Sequence, residues 1–232
     1  MAHSSDWPEE YRRGLVVVAH ADDAEYGCSG TVARLVSEGW DFAYVLCTDG
    51  SKGSSEPGMT EEKLSSIRKK EQQEAGKALG LSNVTFLGYP DSYLTPSLDI
   101  RRDIAREIRR QKPDIVICQY PMRILDGGFG SGHPDHIAIS KHTTTAFDLA
   151  ADPTAFPNQL ANGLKPHAPQ RLFYSARPKG FRLEWANRLR AAGEDFPLPT
   201  TEQLTHGNPP EEIHLTLDLS AHLETKLSLI HI

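Results

Sequence analysis

Residues 14–25 read GLVVVAHADDAE. An apolar, β-branched run ends abruptly at a histidine and two adjacent aspartates. Runs of this length and composition form strands buried on both faces. Charged groups crowded at the end of such a strand need partners or a task. Three more runs share this character: FAYVLCT (42–48), NVTFLG (83–88) and PDIVICQY (113–120). Segments with helical spacing lie between them. SGTVARLVSEG ends in Gly39, a C-terminal cap. MTEEKLSSIRKKEQQEAGKALG opens at Thr60, carries acids at 61 and 62 where a helix dipole favours them, and closes at Gly80. LDIRRDIAREIRRQKP stops before Pro113. Strands alternating with helices imply crossover connections. The expected fold is therefore α/β, a Rossmann-like three-layer sandwich on a mainly parallel sheet.

The pattern loosens after about residue 150. Residues 151–169 and 192–212 are rich in Pro, Asn and Thr and read as long loops. QRLFYS (170–175) and EIHLTLDLS (212–220) read as later strands, the second on its period-two alternation, and AHLETKLSLIHI reads as a helix. The 232 residues are expected to form a single domain, 1–232, with a core over about 14–150 and a loop-rich portion over 151–232.

Composition excludes several classes. The net charge is −6 with no clustered Lys/Arg stripe, which argues against a nucleic-acid partner. The apolar runs are far too short to span a bilayer. The N-terminal MAHSSDWPEEYRRG lacks the apolar core of a signal peptide, so a cytoplasmic location is expected. Cys28, Cys47 and Cys118 are an odd count without CxxC spacing and read as buried, reduced thiols. Trp40, Trp185 and the aromatics of RLFYS are assigned to the core. A homo-oligomer stays open.

In open parallel sheets, ligands sit at the carboxyl ends of the strands. Here those ends are followed by HADDAE, TDGSKGSSEPGMT, YPDSY and YPMRILDGGFGSGHPDH, all polar, acidic or glycine-rich. His20 and Asp23 stand three apart across a strand-to-helix turn, which can aim both at one point, and an imidazole with a carboxylate suits zinc. Asp22, between them, would face the open position of such a metal. The competing reading is that Asp22 or Asp23 caps the following helix. GHPDH (132–136) adds His133 and His136, again three apart at a helix start. His20, Asp23 and one of these two would leave a fourth position for water. Spacing does not choose between them. TDGSKGS carries neither GxGxxG nor a Walker signature and is not a phosphate cradle.

HADD followed by HPDH resembles the LmbE-like, or PIG-L, zinc deacetylases, whose usual forms are AHPDD(E) and HPDH. Ala21 stands where the family usually has proline. The likeness runs through CSGT (28–31), TDGSKGS (48–54), Arg68 and Glu71 as RxxE, and GYPDS (88–92), and covers about residues 14–150. The family typically ends in a Lys-bearing helix leading to His-x-Ser-Gln, and this chain stops near where that would begin. The resemblance implies a small-molecule amino-sugar substrate whose N-acetyl group is hydrolysed. It implies His20, Asp23 and His136 as ligands of Zn2+, with Fe2+ or another divalent ion admissible for such a donor set. It implies Asp22 as general base toward the attacking water, and His133 as stabiliser of the oxyanion or proton donor to the leaving amine. It implies Arg68 and Asp91 in substrate binding. Asp49 and its glycines are expected to shape the pocket and contribute to that binding, and Asp135 to orient a neighbouring histidine. The alternatives are an amidase cleaving a sugar–thiol conjugate with the same site, or a non-catalytic metal- or sugar-binding protein.

Overall fold

The computed structural model describes residues 8–92, 94–121 and 132–230. The Val-rich run is strand β1 (Arg13–Val18). It is followed by the short helix α1 (Asp23–Gly27), then α2 (Ser29–Ser37), β2 (Asp41–Thr48), α3 (Glu61–Leu79), β3 (Asn83–Tyr89), α4 (Leu98–Gln111) and β4 (Ile115–Cys118). Helix α5 (Pro134–Ala151), α6 (Pro157–Ala161), β5 (Arg171–Tyr174), α7 (Phe181–Ala191) and α8 (Leu223–Ile230) complete the order. The strands make one parallel sheet in the order β3-β2-β1-β4-β5. The chain builds outward from β1 to β3, then returns to the other side of β1 with β4. The strand order reverses between β1 and β4, and the carboxyl ends there form the crevice where open α/β sheets bind ligands.

Alternation along β1 makes the three layers. Val16 and Val18 face a core with Val32, Leu35, Leu79 and, from α8, Leu229. Leu15 and Val17 face the other core with Ile100, Ile104, Ile108 and Ile139 from α4 and α5. Successive strand side chains point to opposite faces, so a Val/Leu run without polar breaks must be covered on both. Gly14 is dictated by packing, because a Cβ there would lie 2.1 Å from the Phe42 ring.

The helix ends match the sequence signals. Thr60 Oγ1 accepts from Lys63 N at 3.2 Å, and Gly80 closes α3 in the left-handed region at φ +75°. Ser97 caps α4 by accepting from Asp99 N. Arg109 of α4 is fully buried, and no described carboxylate forms an ion pair with it. It donates instead to the carbonyls of Leu149, Ala150, Asp152 and Ala155, and to Gln159 Oε1, at 2.8–3.1 Å. It thereby satisfies the open C-terminal carbonyls of α5. Arg109→Met removes this donor from five buried acceptors, of which the Ala150 and Asp152 carbonyls keep a backbone N–H partner. The expected loss is about 3 kcal/mol, which lowers Tm by roughly 6–12 °C for a chain of this size. A thermal melt checks it, and a shift under about 2 °C would contradict the assignment.

The later half departs from expectation in three places. Residues 212–220 are not a strand. Their alternation is real, with 213, 215, 217 and 219 half-buried and their neighbours exposed. The segment lies extended against α2, where Arg34 Nη1 donates to the Asp218 carbonyl and Leu219 packs over Gly30. Period-two burial reports an extended chain on a surface and does not require a ladder partner. A short helix, α6, interrupts the expected loop at 151–169, and three-residue helical turns at Gln203–Thr205 and Pro210–Glu212 punctuate the second loop. Trp185 is not in the core: it is 46% exposed and stacks on Phe181 along the outside of α7. Trp40 is buried as expected, and the cysteines are free thiols, with Cys47 and Cys118 fully enclosed.

Candidate metal centre

The backbone turns sharply where β1 ends. Asp22 takes φ +86°, a left-handed conformation unusual for a residue with a side chain. The side chain makes no capping bond to α1, so the capping reading does not hold for Asp22. Asp23 Oδ2 accepts from His20 N at 2.7 Å, which folds the turn back on itself and brings both side chains to one side. The second contributor is the start of α5. His133 is its N-cap and Pro134 its first residue, so His133 and His136 sit one turn apart at the sheet edge. The glycine-rich stretch at 122–131 lies outside the described residues.

These two chain segments converge. His20 Nδ1 lies 3.2 Å from His136 Nε2 and 3.4 Å from Asp23 Oδ2, and His136 Nε2 lies 3.0 Å from Asp23 Oδ1. Ligand bonds of about 2.0–2.1 Å at tetrahedral angles separate donor atoms by roughly 3.3 Å. The His20–Asp23–His136 separations of 3.0–3.4 Å are of that size, with Asp23 meeting His20 through Oδ2 and His136 through Oδ1. The two ring nitrogens hydrogen-bond across 3.2 Å in this structure, with donor and acceptor set by the tautomers. His133 joins the same group, since its ring and those of His20 and His136 present nitrogens within 4.8 Å of one another.

His20 also belongs to a second cluster. Its Nε2 lies 3.0 Å from Asp91 Oδ1 and 3.3 Å from Asp135 Oδ2. Those carboxylates are already occupied by the backbone. Asp135, fully buried, accepts from Ser92 N and Leu94 N, and Asp91 accepts from Lys52 N. They are therefore placed to accept from Nε2–H of His20, while Nδ1 faces His136 and Asp23. Asp135 was expected to orient a neighbouring histidine, and its Oδ2 lies 3.3 Å from His20 Nε2. Asp91 was expected to accept substrate hydroxyls. It lines the cavity, with Oδ1 3.0 Å from His20 Nε2 and Oδ2 accepting from Lys52 N. Asp49 lies behind it. Its Oδ1 accepts from Ser51 N and Asp91 N, so it shapes the loop and does not reach the cavity wall.

The charges follow the geometry. Burial alone would lower the His20 pKa. The hydrogen bond that the ring donates to Asp23 and the fields of Asp23, Asp91 and Asp135 outweigh it and push it up to about 9. Burial would raise Asp23, but hydrogen bonds from His136 and His20 hold its carboxyl below the usual range. Asp22 moves the other way. Burial raises it, and the Arg68 bond only partly compensates. Burial, then the neighbouring His20 and His136, lower His133. His133 Nδ1 accepts from Asp135 N at 3.2 Å, so in the neutral ring the proton sits on Nε2.

The centre opens on a cavity of about 460 Å³, within the range of small-ligand sites. His20, Asp22, Asp23, His133, His136 and Arg68 all line it. Arg68 Nη1 donates to Asp22 Oδ2 at 2.8 Å and to the Ala21 carbonyl at 3.2 Å. Several lining residues have no counterpart in the sequence reading: Tyr26, Lys52, Tyr120 and Arg177. Behind the wall, Gln72 is buried. Its Oε1 accepts from Asp22 N at 3.4 Å and its Nε2 donates to Glu25 Oε1 at 2.9 Å. Gln72 stands four residues after Arg68 on the same face of α3, a helical spacing visible in sequence. The tail of the chain reaches this wall as well: Lys226 of α8 donates to the Glu25 and Tyr26 carbonyls.

A parallel α/β sheet with converging histidine and carboxylate donors at its switch point defines a protein able to hold a metal ion beside a ligand cavity. The chain belongs to the PIG-L family: the family profile, described as GlcNAc-PI de-N-acetylase, matches residues 15–147. Among curated relatives, a diacetylchitobiose deacetylase of Thermococcus kodakarensis is 29% identical over 174 residues, or 74% of this chain and 63% of the relative. The match therefore spans less than two thirds of that relative. A 1D-myo-inositol 2-acetamido-2-deoxy-alpha-D-glucopyranoside deacetylase of Thermomonospora curvata is 29% identical over 245 residues, 94% of this chain and 78% of the relative. Among solved structures, the N,N'-diacetylchitobiose deacetylase of Pyrococcus horikoshii superposes with a TM-score of 0.73 at 23% identity. It covers 96% of this chain and 70% of that one, a likeness of fold. Among the described residues no helix is long and apolar enough to cross a membrane.

Proposed function

We propose that this protein is a metal-dependent hydrolase that removes the N-acetyl group from an N-acetylglucosamine-type conjugate. The observation that carries the reading is the donor triangle of His20 Nδ1, Asp23 and His136 Nε2, with edges of 3.0–3.4 Å, on the wall of the cavity. Membership of the PIG-L family and the deacetylase names of the relatives support it. His20, Asp23 and His136 would hold the ion, and zinc suits their two nitrogens and one carboxylate. The ion, when bound, supplies Lewis acidity, which acidifies water and polarises an amide carbonyl.

The remaining roles fall to groups outside the triangle. Asp22, exposed to the cavity, takes a proton from the attacking water as its oxygen bonds to the acyl carbon. Arg68 keeps that carboxylate aimed through the 2.8 Å bond and is free to turn a second N–H toward a substrate hydroxyl. His133 Nε2–H donates to the oxygen that gains charge as the carbon becomes tetrahedral. The C–N bond then breaks. The nitrogen departs with a proton, and acetate remains. Asp91 and Asp135 hold the His20 ring, and Asp49 holds the loop that carries Asp91.

The test is acetate release from N-acetylglucosamine conjugates by protein of measured metal content, with and without chelator. Release is expected to fall at least about 100-fold on metal removal and to return on adding zinc. A panel member with a bulkier N-acyl group separates a deacetylase from an amidase. Stoichiometric metal with no release from any member would overturn the deacetylase reading in favour of a binding protein.

A further inference from the structure

Three long cationic side chains line the cavity: Lys52, Arg68 and Arg177. Lys52 pairs with Glu61 and Arg68 with Asp22. No described residue pairs with the Arg177 guanidinium. Burial without a compensating charge also lowers its pKa, which marks the environment as costly for a cation.

The backbone that carries Arg177 is held with unusual completeness. Asn208, 2% exposed, accepts from Arg177 N through Oδ1 at 3.1 Å and donates its own N–H to the Arg177 carbonyl at 2.6 Å. The Asn208 carbonyl accepts from Lys179 N at 3.0 Å. Asn208 Nδ2 in turn donates to Glu212, which also accepts from Tyr120 of the cavity wall. Gly207, at φ +112°, lets the two chains touch: a Cβ there would stand 2.8 Å from the Arg177 carbonyl. A segment remote in sequence thus fixes the position of one arginine, while its guanidinium is left without a protein partner. That is preorganisation for a ligand. A planar, bidentate guanidinium matches phosphate and carboxylate oxygens.

Topology sets the distance. Arg177 follows β5, which lies beyond β4 and so two strand spacings, roughly 10 Å, from β1. Arg177 lines the same cavity as His20, Asp23 and His136, so a group bound there lies on a substituent of the sugar that carries the N-acetyl group. We infer that Arg177 recognises an anionic substituent, phosphate or carboxylate, on the amino-sugar substrate. The inference rests on the deacetylase reading for the sugar and on the Arg177 site for the anion.

Three probes separate these two parts: N-acetylglucosamine 1-phosphate, N-acetylmuramic acid and methyl N-acetylglucosaminide. Each is titrated calorimetrically into the metal-loaded protein and its Arg177→Gln and Arg177→Lys variants, and acetate release is followed in the same samples. The wild-type protein is expected to bind one of the anionic probes roughly 10- to 100-fold tighter than the neutral one. Arg177→Gln should abolish that ratio, and Arg177→Lys should retain part of it. The favoured probe decides between phosphate and carboxylate. No anion preference in the wild type, no binding of any probe, or a preference undiminished in Arg177→Gln overturns the inference. Acetate release without anion preference removes the Arg177 site and leaves the deacetylase reading standing. Anion preference lost in Arg177→Gln, with no release from any probe, does the reverse.

Discussion

Asp22→Asn is expected to lower acetate release by about 10²- to 10⁴-fold, the range for losing a positioned general base, while metal content stays stoichiometric. The geometry separates the two effects. The donor triangle is closed by His20, Asp23 and His136, and Asp22 contributes no edge to it. Its side chain turns instead toward Arg68. Asparagine keeps the shape and can still accept from Arg68, so the left-handed turn at residue 22 is retained. What disappears is the capacity to take a proton. Metal analysis and turnover on one preparation decide the matter. Parallel loss of metal and activity would make Asp22 a ligand and invert its role with Asp23.

His136→Ala and His133→Ala are expected to diverge. His136 Nε2 sits within 3.2 Å of His20 Nδ1 and 3.0 Å of Asp23 Oδ1, so its removal deletes a corner of the triangle. Metal occupancy should fall below about a tenth, and turnover with it, because the two donors left lie below the three that a catalytic zinc site keeps. His133 Nδ1 accepts from Asp135 N, so its neutral ring presents Nε2–H. Without it the protein should keep its metal and lose about 10²- to 10³-fold in kcat, the scale of a missing oxyanion donor. It should also lose about 1 kcal/mol of stability, because His133 caps α5. Added metal should restore neither variant fully. Retention of metal in His136→Ala with its loss in His133→Ala would exchange the two assignments.

Much of the site could be read from the chain because its ingredients are local. The end of a Val-rich strand, a three-residue step from His20 to Asp23, and another from His133 to His136 are patterns of a few residues. Short-range backbone geometry controls them. What escaped lies in residues whose roles depend on distant partners. Asp91 reads as a hydroxyl acceptor in a polar loop, and only the fold brings His20 and the Lys52 amide to its oxygens. Arg177 sits in SARP, a tetrapeptide without periodicity, and gains meaning from Asn208 thirty-one residues away. Gln72 was legible in principle from its spacing to Arg68, but a glutamine within a polar helix carries no mark of burial.

By itself the sequence determined the alternation of strands and helices, the caps at Thr60 and Gly80, and the presence of histidine and carboxylate donors at two strand ends. Periodicity, capping and turn chemistry act over a few residues and survive without knowledge of the fold. The tertiary structure decided the strand order. It set β4 against β1 across some hundred residues of intervening chain, and so carried His136 to His20. It also decided that 212–220 would lie extended along α2 without joining the sheet. Both outcomes turn on which surfaces are buried together, a property of the packed whole to which no short stretch of sequence has access.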